Sequence, residues 1–243
     1  MAIRLDKFLA KTYSKYSRNK LNQFILSGYV LVNNKVQTKP SYLVNDNDKV
    51  DLKVCTDDVW VSRGAYKLLK ALEEYKIDLT DKVCLDIGCS TGGFTHVMLR
   101  NNAKKVYAVD VGTNQFDKSI LNDKVVLMEQ THFCHTNVLD FEHIDFIACD
   151  VSFISAKKII EHVVKLFNYP FTFVCLIKPQ FELTKEILDK CKGVIPEKYH
   201  QQAISSVCNY AKQLGLEVSN VIASPIQGAK SNNTEFLVCF RRR

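Results

Sequence analysis

The sequence predicts an α/β protein in which a small, basic α+β unit precedes a larger domain built on a mostly parallel sheet. Beyond residue 63, apolar runs of strand length alternate with helical periodicities, and a glycine-rich loop follows the first run. Such alternation is typical of a parallel sheet with helices on both faces. The last two runs can form an antiparallel pair. The predicted strands cover residues 83–87, 105–109, 124–128, 145–149, 172–177, 217–223 and 235–240.

The first fifty or so residues combine two helical patterns with a hairpin. Apolar side chains at helical spacing predict a helix over residues 3–14. Ser17 has the position of an N-cap for a second helix, which Gly28 would end in the left-handed conformation. An Asn-Asn turn inside residues 29–36 predicts a β-hairpin, and residues 49–52 predict one more short strand.

The positive charge of the chain is concentrated in this N-terminal unit. Residues 1–40 contain eight Lys or Arg and one acid, a balance of +7 that equals the excess of 33 basic over 26 acidic residues in the whole chain. A solvated helical face is the alternative for lysines alone. The concentration of the entire excess in one segment favours a surface that binds a polyanion, which indicates nucleic acid.

Composition excludes several other classes of protein. The 243 residues are 47% apolar and 24% charged, which is typical of a soluble globular protein. No apolar run has the length of a membrane span, and the N-terminus lacks the pattern of a signal peptide. Nine cysteines occur without a C-x-x-C pair, which indicates free thiols and no zinc site. We therefore expect a cytoplasmic protein without metal or membrane, and a monomer is favoured.

The loop D-I-G-C-S-T-G-G after the first strand predicts a site for a ribose-bearing cofactor. Asp110 ends the next apolar run 22 residues after Gly88, the distance at which a nucleotide-binding unit places a carboxylate on a ribose diol. The dinucleotide fingerprint fails because Ser90 stands where its second glycine belongs. Asp86 would repel a pyrophosphate but suits an ammonium or a sulfonium. A glycine turn without a ligand is the alternative.

Charged side chains stand at or near the ends of four of the predicted strands. They are Asp86, Asp110, Asp150 and Lys178. Ligands bind at the carboxyl ends of the strands in open α/β sheets, so these groups should line one cleft. Taken singly, Asp150 could cap a helix and Lys178 could reach solvent. Their succession favours a functional cleft.

The motifs as a set resemble one family over essentially the whole chain. S-R-G-x-x-K-L, D-I-G-x-S-T-G-G-F, D-V-S-F-I-S, K-P-Q-F-E, S-P-I-x-G and E-F-L occur in this order after a head whose Arg4-Leu5-Asp6, Ser17-Arg18, Ser27-Gly28-Tyr29-Val30 and Val32-Asn33 resemble the S4 RNA-binding fold. The chain resembles the TlyA family, hemolysin-A-type ribosomal RNA 2′-O-ribose methyltransferases with an FtsJ-like catalytic domain.

This resemblance implies a domain organisation and a partner. An S4-like RNA-binding domain would cover residues 1–54, a linker residues 55–62, and a Rossmann-like class I S-adenosylmethionine-dependent methyltransferase domain residues 63–243. Ribosomal RNA in ribosomal subunits would be the substrate. The basic residues of the head that would contact RNA phosphates are Arg4, Arg18 and Lys20.

The resemblance also implies the site residues. The catalytic tetrad of the family falls on Lys67, Asp150, Lys178 and Glu235. Lys178 would activate the 2′-hydroxyl, Lys67 would assist it or stabilise the oxyanion, and the two acids would orient the lysines and the substrate. S-adenosylmethionine would lie on the glycine loop, with Asp110 on its ribose and Asp86 near its methionine end. The loop residues concerned are Gly88, Ser90, Thr91, Gly92 and Gly93.

Two positions depart from the family pattern. His132 stands where the family usually has asparagine, on the adenine side of the cofactor, and Asp58 stands where it has an arginine, two residues before Trp60.

Other functions to weigh are a non-catalytic RNA-binding factor, a membrane-active hemolysin and a base methyltransferase. The complete tetrad disfavours the first, and no motif supports the other two.

Overall fold

The computed structural model describes residues 2–14, 16–26, 28–53, 60–191, 193–228 and 232–243. Two compact units are present, Met1–Val59 and Trp60–Arg243. The departure at Asp58, the head-motif residue Ser27 and residues 229–231 of the loop before Glu235 lie outside the described residues.

The N-terminal unit packs two helices on short antiparallel strands. Its elements are β1 (Ile3–Arg4), α1 (Leu5–Thr12), α2 (Arg18–Leu26), β2 (Val30–Val32), β3 (Lys35–Val36), β4 (Leu43–Val44) and β5 (Val50–Leu52). Strand β2 pairs with β3 and β5, and β1 pairs with β4. Leu5, Leu9 and Leu21 are fully buried in its core.

The turn and caps predicted in this unit are confirmed. Asn33 and Asn34 both have positive φ, 51° and 66°, as the tightest hairpin turns require. Ser17 accepts a hydrogen bond from the backbone nitrogen of Lys20 at 3.3 Å, and Gly28 ends the helix with φ 79°. The prediction of a helix from residue 3 is wrong at its start, because Ile3 and Arg4 pair with β4.

The larger unit forms a sheet covered by helices on both faces. Its elements are α3 (Ala65–Tyr75), β6 (Val83–Ile87), α4 (Gly93–Arg100), β7 (Lys105–Val109), β8 (Val125–Met128), β9 (Phe146–Cys149), α5 (Ala156–Leu166), β10 (Phe171–Ile177), α6 (Pro179–Glu182), α7 (Lys185–Lys190), α8 (His200–Gln213), β11 (Glu217–Val218), β12 (Ile222–Ala223) and β13 (Phe236–Arg242).

Eight strands make up this sheet within the described residues. The order is β11-β13-β10-β9-β6-β7-β8, and β12 also pairs with β13. The five strands from β10 to β8 are parallel, and β13 lies antiparallel between β10 and β11. This arrangement confirms the predicted parallel sheet and the antiparallel pairing of its last strands. From β6 the chain runs outward to β7 and β8, and it then returns to place β9 on the other side of β6. Open α/β sheets bind ligands where the strand order reverses in this way, which here is the crevice between β6 and β9.

Side chains alternate between two cores because successive residues of a strand point to opposite faces. On one face, Leu85 and Ile147 pack among residues of α5 and α8. On the other, Cys84 and Phe146 pack among residues of α3 and α4. The eight cysteines of the described part of the chain are all free thiols.

The predicted strand over residues 217–223 is wrong as one element, because it is broken into β11 and β12. Ser219 lies at the break. Its hydroxyl accepts a hydrogen bond from the backbone nitrogen of Cys239 at 3.0 Å and so takes the place of a ladder carbonyl. Side-chain hydroxyls that bond to the backbone compete with the regular ladder.

Helices α3 and α4 approach each other closely at Gly93. A Cβ there would overlap the Ser62 hydroxyl and would lie 3.2 Å from the backbone nitrogen of Ala65. This glycine therefore serves helix packing at the first turn of α4.

We expect Gly93→Ala to lower the free energy of unfolding by about 1–3 kcal/mol, as overpacking usually does, although alanine is the better helix former. Denaturant unfolding of the purified protein measures the change. Because the closest neighbour is the hydroxyl, the same substitution in a Ser62→Ala background should cost less. An equal or greater destabilisation there would contradict this reading of the contact.

Candidate active site

Four charged side chains from distant parts of the sequence meet at the carboxyl edge of the sheet. Lys67 lies in the first turn of α3, Asp150 follows β9, Lys178 follows β10, and Glu235 directly precedes β13. Glu235 arrives beside Lys178 because Phe236 pairs with Ile177 in the antiparallel ladder. We call these four residues the ion cluster.

The ion cluster is closely connected. The Lys67 ammonium donates hydrogen bonds to Asp150 Oδ2 at 2.9 Å and to Glu235 Oε2 at 2.6 Å. Lys178 Nζ lies 2.7 Å from Asp150 Oδ1, 4.0 Å from Glu235 Oε1 and 3.0 Å from the Ser152 hydroxyl oxygen. The structure thus brings together all four residues that the family resemblance predicts for the tetrad.

Burial and charge act in opposite directions on this cluster. Burial lowers the pKa of Lys67, but the carboxylates of Asp150 and Glu235 raise it further, and the net pKa is above its ordinary value. Burial raises the pKa of Asp150, but Lys178 and Lys67 outweigh it and hold the pKa below its ordinary value. Lys67 is therefore a fixed cation and Asp150 a fixed anion at neutral pH.

A second group of contacts supports the loop after β9. Glu182, at the end of α6, accepts hydrogen bonds from Ser155 Oγ at 2.6 Å and from the backbone nitrogen of Ala156 at 2.7 Å, at the first turn of α5. Burial raises the pKa of Glu182. These bonds tie the segment that carries Lys178 to the loop that carries Asp150. Sequence reasoning missed Glu182, although it closes the K-P-Q-F-E motif.

A cavity of about 460 Å³ opens beside the ion cluster at the β6/β9 crevice. Asp150 and Ser152 belong both to its wall and to the contacts of Lys178. Among the predicted cofactor residues, the cavity is lined by Gly88, Ser90 and Asp110, and not by Asp86, Thr91, Gly92 or Gly93. Phe153, with φ 68° and an 88% exposed side chain, lines its mouth and packs on Phe181.

Asp110 is held in place at this cavity by the backbone. Its carboxylate accepts hydrogen bonds from the backbone nitrogens of Ser90 at 2.8 Å and of Gly112 at 2.7 Å. An ionised carboxylate offers about four acceptor positions, so two further donors can bind it. Adjacent hydroxyls of a ribose are donors of that kind.

The glycine loop is shaped by its own packing. Gly88 has φ 82°, and a Cβ there would lie 3.1 Å from the carbonyl oxygen of Asp150, so the loops after β6 and β9 touch. Gly92 has φ 86°, and a Cβ there would lie 2.7 Å from Ile120 and 2.8 Å from Phe116. Gly92, like Gly93, is thus required by neighbours inside the protein, and cofactor contacts of Thr91, Gly92 and Gly93 stay predictions.

Asp86 lies behind the loop and is fully buried. Its Oδ2 accepts hydrogen bonds from the backbone nitrogen and the hydroxyl of Thr95 at 2.9 and 2.7 Å, while Oδ1 has no hydrogen-bond partner among the described residues. Burial raises the pKa of Asp86 to about 7, although the hydrogen bonds from Thr95 lower it. The charges of Asp150 and Asp110 raise it further. Its predicted place near the methionine end stays a prediction.

His132 lines the cavity wall and is stacked on His135, with ring centroids 4.6 Å apart. This departure from the family pattern therefore lies in the wall of the candidate cofactor cavity.

The predicted RNA-binding residues of the N-terminal unit make contacts within that unit. Arg4 and Arg18 both pair with Asp6, and Lys20 lies over the ring of Phe24.

Within the described residues, no helix has the length and apolar character to cross a membrane. No group of three or more His, Cys, Asp or Glu side chains in that part of the chain is arranged to hold a metal ion.

The chain matches two family models. The FtsJ-like methyltransferase model matches residues 60–242, and the S4 domain model matches residues 3–50. The large domain and its cleft are therefore those of a methyltransferase of the Rossmann-like class.

Relatives that match nearly the whole chain show which branch of the FtsJ-like methyltransferases it belongs to. Hemolysin A of Brachyspira hyodysenteriae is 38% identical over 98% of this chain and 99% of its own length. The 16S/23S rRNA (cytidine-2′-O)-methyltransferase TlyA of Mycobacterium tuberculosis is 34% identical over 96% of this chain and 88% of its own. A solved structure from Streptococcus thermophilus, named as a hemolysin, is 36% identical and covers 99% of this chain and 88% of its own, with a TM-score of 0.74. The chain belongs to the FtsJ-like methyltransferases of the TlyA and hemolysin A type.

The buried carboxyl of Asp86 predicts a pH-dependent stability. Its pKa is about 7 in the folded protein and about 4 in the unfolded chain, so the folded state binds the proton more tightly. Stability is therefore lost as pH rises from about 4 to about 7. Asp86→Asn cannot ionise, so its free energy of unfolding relative to the unmodified protein should rise by about 2–3 kcal/mol between pH 5 and pH 8.

Denaturant unfolding of both proteins at the two pH values measures this difference. Asp78→Asn, at an exposed acid, is the control and should show no such rise. A difference between Asp86→Asn and the unmodified protein that is the same at both pH values would contradict the assignment.

Proposed function

We propose that this protein transfers a methyl group from S-adenosylmethionine to a ribose 2′-hydroxyl of ribosomal RNA, with a cytidine as the target nucleoside. The ion cluster beside the cavity at the β6/β9 crevice carries this proposal. The Mycobacterium tuberculosis relative is named for methyl transfer to the 2′-oxygen of cytidine in 16S and 23S rRNA, which supports this acceptor. Ribosomal subunits are cytoplasmic in bacteria, and we assign the activity to that compartment.

The cavity has the size and charge to hold S-adenosylmethionine. Its volume of about 460 Å³ lies in the range of small-molecule sites. Asp110 keeps acceptor positions for a ribose diol. Asp150 shares the wall and Asp86 lies behind it, and the charges of Asp150 and Asp110 add to the burial that raises the pKa of Asp86. Such a site favours a ligand with a sulfonium and an ammonium over a pyrophosphate.

S-adenosylmethionine supplies the methyl group on its sulfonium when it is bound. Gly88, Ser90 and Asp110 would hold it, with Asp86 acting from behind the loop. His132 would face its adenine side. The residues of this chain then have to bring the acceptor oxygen into line and remove its proton.

Lys178 is the lysine that we propose as the acceptor of the hydroxyl proton. Its Nζ has one carboxylate at 2.7 Å and contacts Ser152, a residue of the cavity wall, whereas Lys67 is enclosed between two carboxylates at 2.9 and 2.6 Å. In its neutral form Lys178 takes the proton from the 2′-hydroxyl while that oxygen forms the new bond to carbon. Bound S-adenosylmethionine would supply the methyl carbon and keep the carbon–sulfur bonding pair, so charge and atoms would balance.

Lys67 and the acids support this step without exchanging protons. The raised pKa of Lys67 keeps it positive at neutral pH, where its charge stabilises developing negative charge on the acceptor oxygen. Asp150 holds the side-chain nitrogens of both lysines, and Glu235 holds that of Lys67. The exposed ring of Phe153 at the cavity mouth offers a nucleobase a surface for stacking.

The S4 domain would supply the affinity for RNA. Arg4, Arg18 and Lys20 are exposed or half-exposed cations within residues 1–40, the segment whose balance of +7 equals the excess of the whole chain. Contacts of this kind position a nucleic acid through its phosphates without reading sequence. The target nucleoside would then be selected at the catalytic cavity.

Lys178→Ala should lower methyl transfer by about 10²–10⁴-fold, the usual contribution of a general base, while S-adenosylmethionine still binds. Transfer of tritiated methyl to purified ribosomal subunits measures activity, and calorimetry measures cofactor binding. Lys185→Ala, at an exposed lysine of α7, is the matched control and should keep full activity. Full activity of Lys178→Ala would remove its role as base. A protein that never methylates, yet binds the subunits, would favour the non-catalytic alternative.

Arg18→Ala combined with Lys20→Ala should weaken binding to ribosomal subunits. The slope of log K against log salt should become shallower by about 0.7–0.9 for each phosphate that the variant no longer neutralises. Filter binding over a salt series measures it. Lys35→Ala combined with Lys39→Ala removes the same charge from exposed positions of the same unit and is the control. Equal slopes for both pairs would count against the predicted docking residues.

A further inference from the structure

The basic N-terminal unit has an acid in its interior. Asp6 is the only acidic residue among residues 1–40, and its side chain is 3% exposed. It lies in the first turn of α1, between β1, which contains Arg4, and α2, which begins at Arg18. A buried charge is costly unless it is paired, so its partners show what it does.

The partners of Asp6 are the two arginines predicted to bind RNA. Arg4 donates from Nε at 3.0 Å to Oδ1 and from Nη2 at 3.2 Å to Oδ2, the paired geometry of a guanidinium on a carboxylate. Arg18 donates from Nη2 at 2.9 Å to Oδ2, and the backbone nitrogen of Lys7 donates to Oδ1 at 3.0 Å. The hydrogen bonds from Arg4 are the main reason why the pKa of Asp6 is low, at about 2.

Each arginine keeps donors that face solvent. The side chains of Arg4 and Arg18 are 47% and 57% exposed. A guanidinium has five N–H donors, and Asp6 occupies two on Arg4 and one on Arg18. The remaining donors lie on two guanidiniums whose spacing one carboxylate fixes.

We propose that Asp6 is a positioning residue for RNA binding, which holds Arg4 and Arg18 at a fixed spacing so that their outer N–H groups meet backbone phosphates of folded RNA. This inference rests on the proposed RNA-binding function of the S4 domain. The free protein has already ordered both side chains, so their conformational entropy is not lost again on binding.

Positioning and simple charge attraction make opposite predictions for Asp6. Removal of its carboxylate adds one positive charge to the unit, and attraction to a polyanion alone then predicts tighter binding. Positioning predicts weaker binding, because two released arginines must be ordered by the RNA. The sign of the effect therefore separates the two explanations.

Asp6→Asn should weaken binding of the full-length protein to purified ribosomal subunits by about tenfold and make its salt dependence shallower. Asp51→Asn adds the same charge to the same unit from a partly exposed acid paired with Lys49, and is the matched control. It should leave binding unchanged or make it tighter. Tighter binding of Asp6→Asn, to the extent seen for the control, would overturn the proposal.

A double-mutant cycle separates positioning from a purely structural role. In a background with Arg4→Gln and Arg18→Gln, Asp6→Asn should no longer weaken binding, because the groups that it positions are gone. The same tenfold weakening in that background would overturn the proposal, since Asp6 would then act through the fold.

One further variant keeps the proposal testable even if Asp6→Asn unfolds the S4 domain. Arg4→Lys combined with Arg18→Lys keeps every charge but removes the planar donors, and it should weaken binding by a similar factor. Unchanged binding would overturn the proposal. If the unmodified protein binds and methylates the subunits but these variants do not differ from it, only the role of Asp6 fails. If the unmodified protein does not bind, the proposed function itself fails.

Discussion

The enclosure of Lys67 between Asp150 and Glu235 is the interaction on which the catalytic domain depends. Burial alone would penalise each of these charges, and a pair broken on one side leaves the other charge uncompensated. The register of β13 against β10 keeps the charge of Lys67 compensated, because the pairing of Phe236 with Ile177 brings Glu235 to the end of β10. A buried ion cluster of this kind contributes less to stability than an apolar cluster of the same size would. It does, however, keep charged groups at the edge of the cavity.

Much of the catalytic domain could be predicted because its signals are local. Alternating apolar runs predict strands, and acids or a lysine at strand ends predict a cleft, since parallel strands end at one edge of a sheet. The two cores follow from the period of two along strands such as β6. The meeting of the four members of the ion cluster came from the family resemblance, because Lys67 and Asp150 are far apart in the chain and no local pattern joins them.

The features that sequence reasoning missed depend on tertiary contacts. Ile3 and Arg4 have helical spacing but pair with β4, a partner about 40 residues away. Ser219 breaks a strand through a bond to Cys239. Glu182 supports the loop after β9 from another segment. Gly92 and Gly93 carry the family motif, yet the space around them shows that they serve packing.

The position of β13 has a consequence for synthesis of the protein. This strand is the last element of the catalytic domain to leave the ribosome, yet it inserts between β10 and β11 and delivers Glu235. A nascent chain that lacks it holds Lys67 and Asp150 without their fourth partner. The ion cluster is therefore complete only after β13 has paired with β10, so the closing of this side of the sheet and the assembly of the four charges are one folding event.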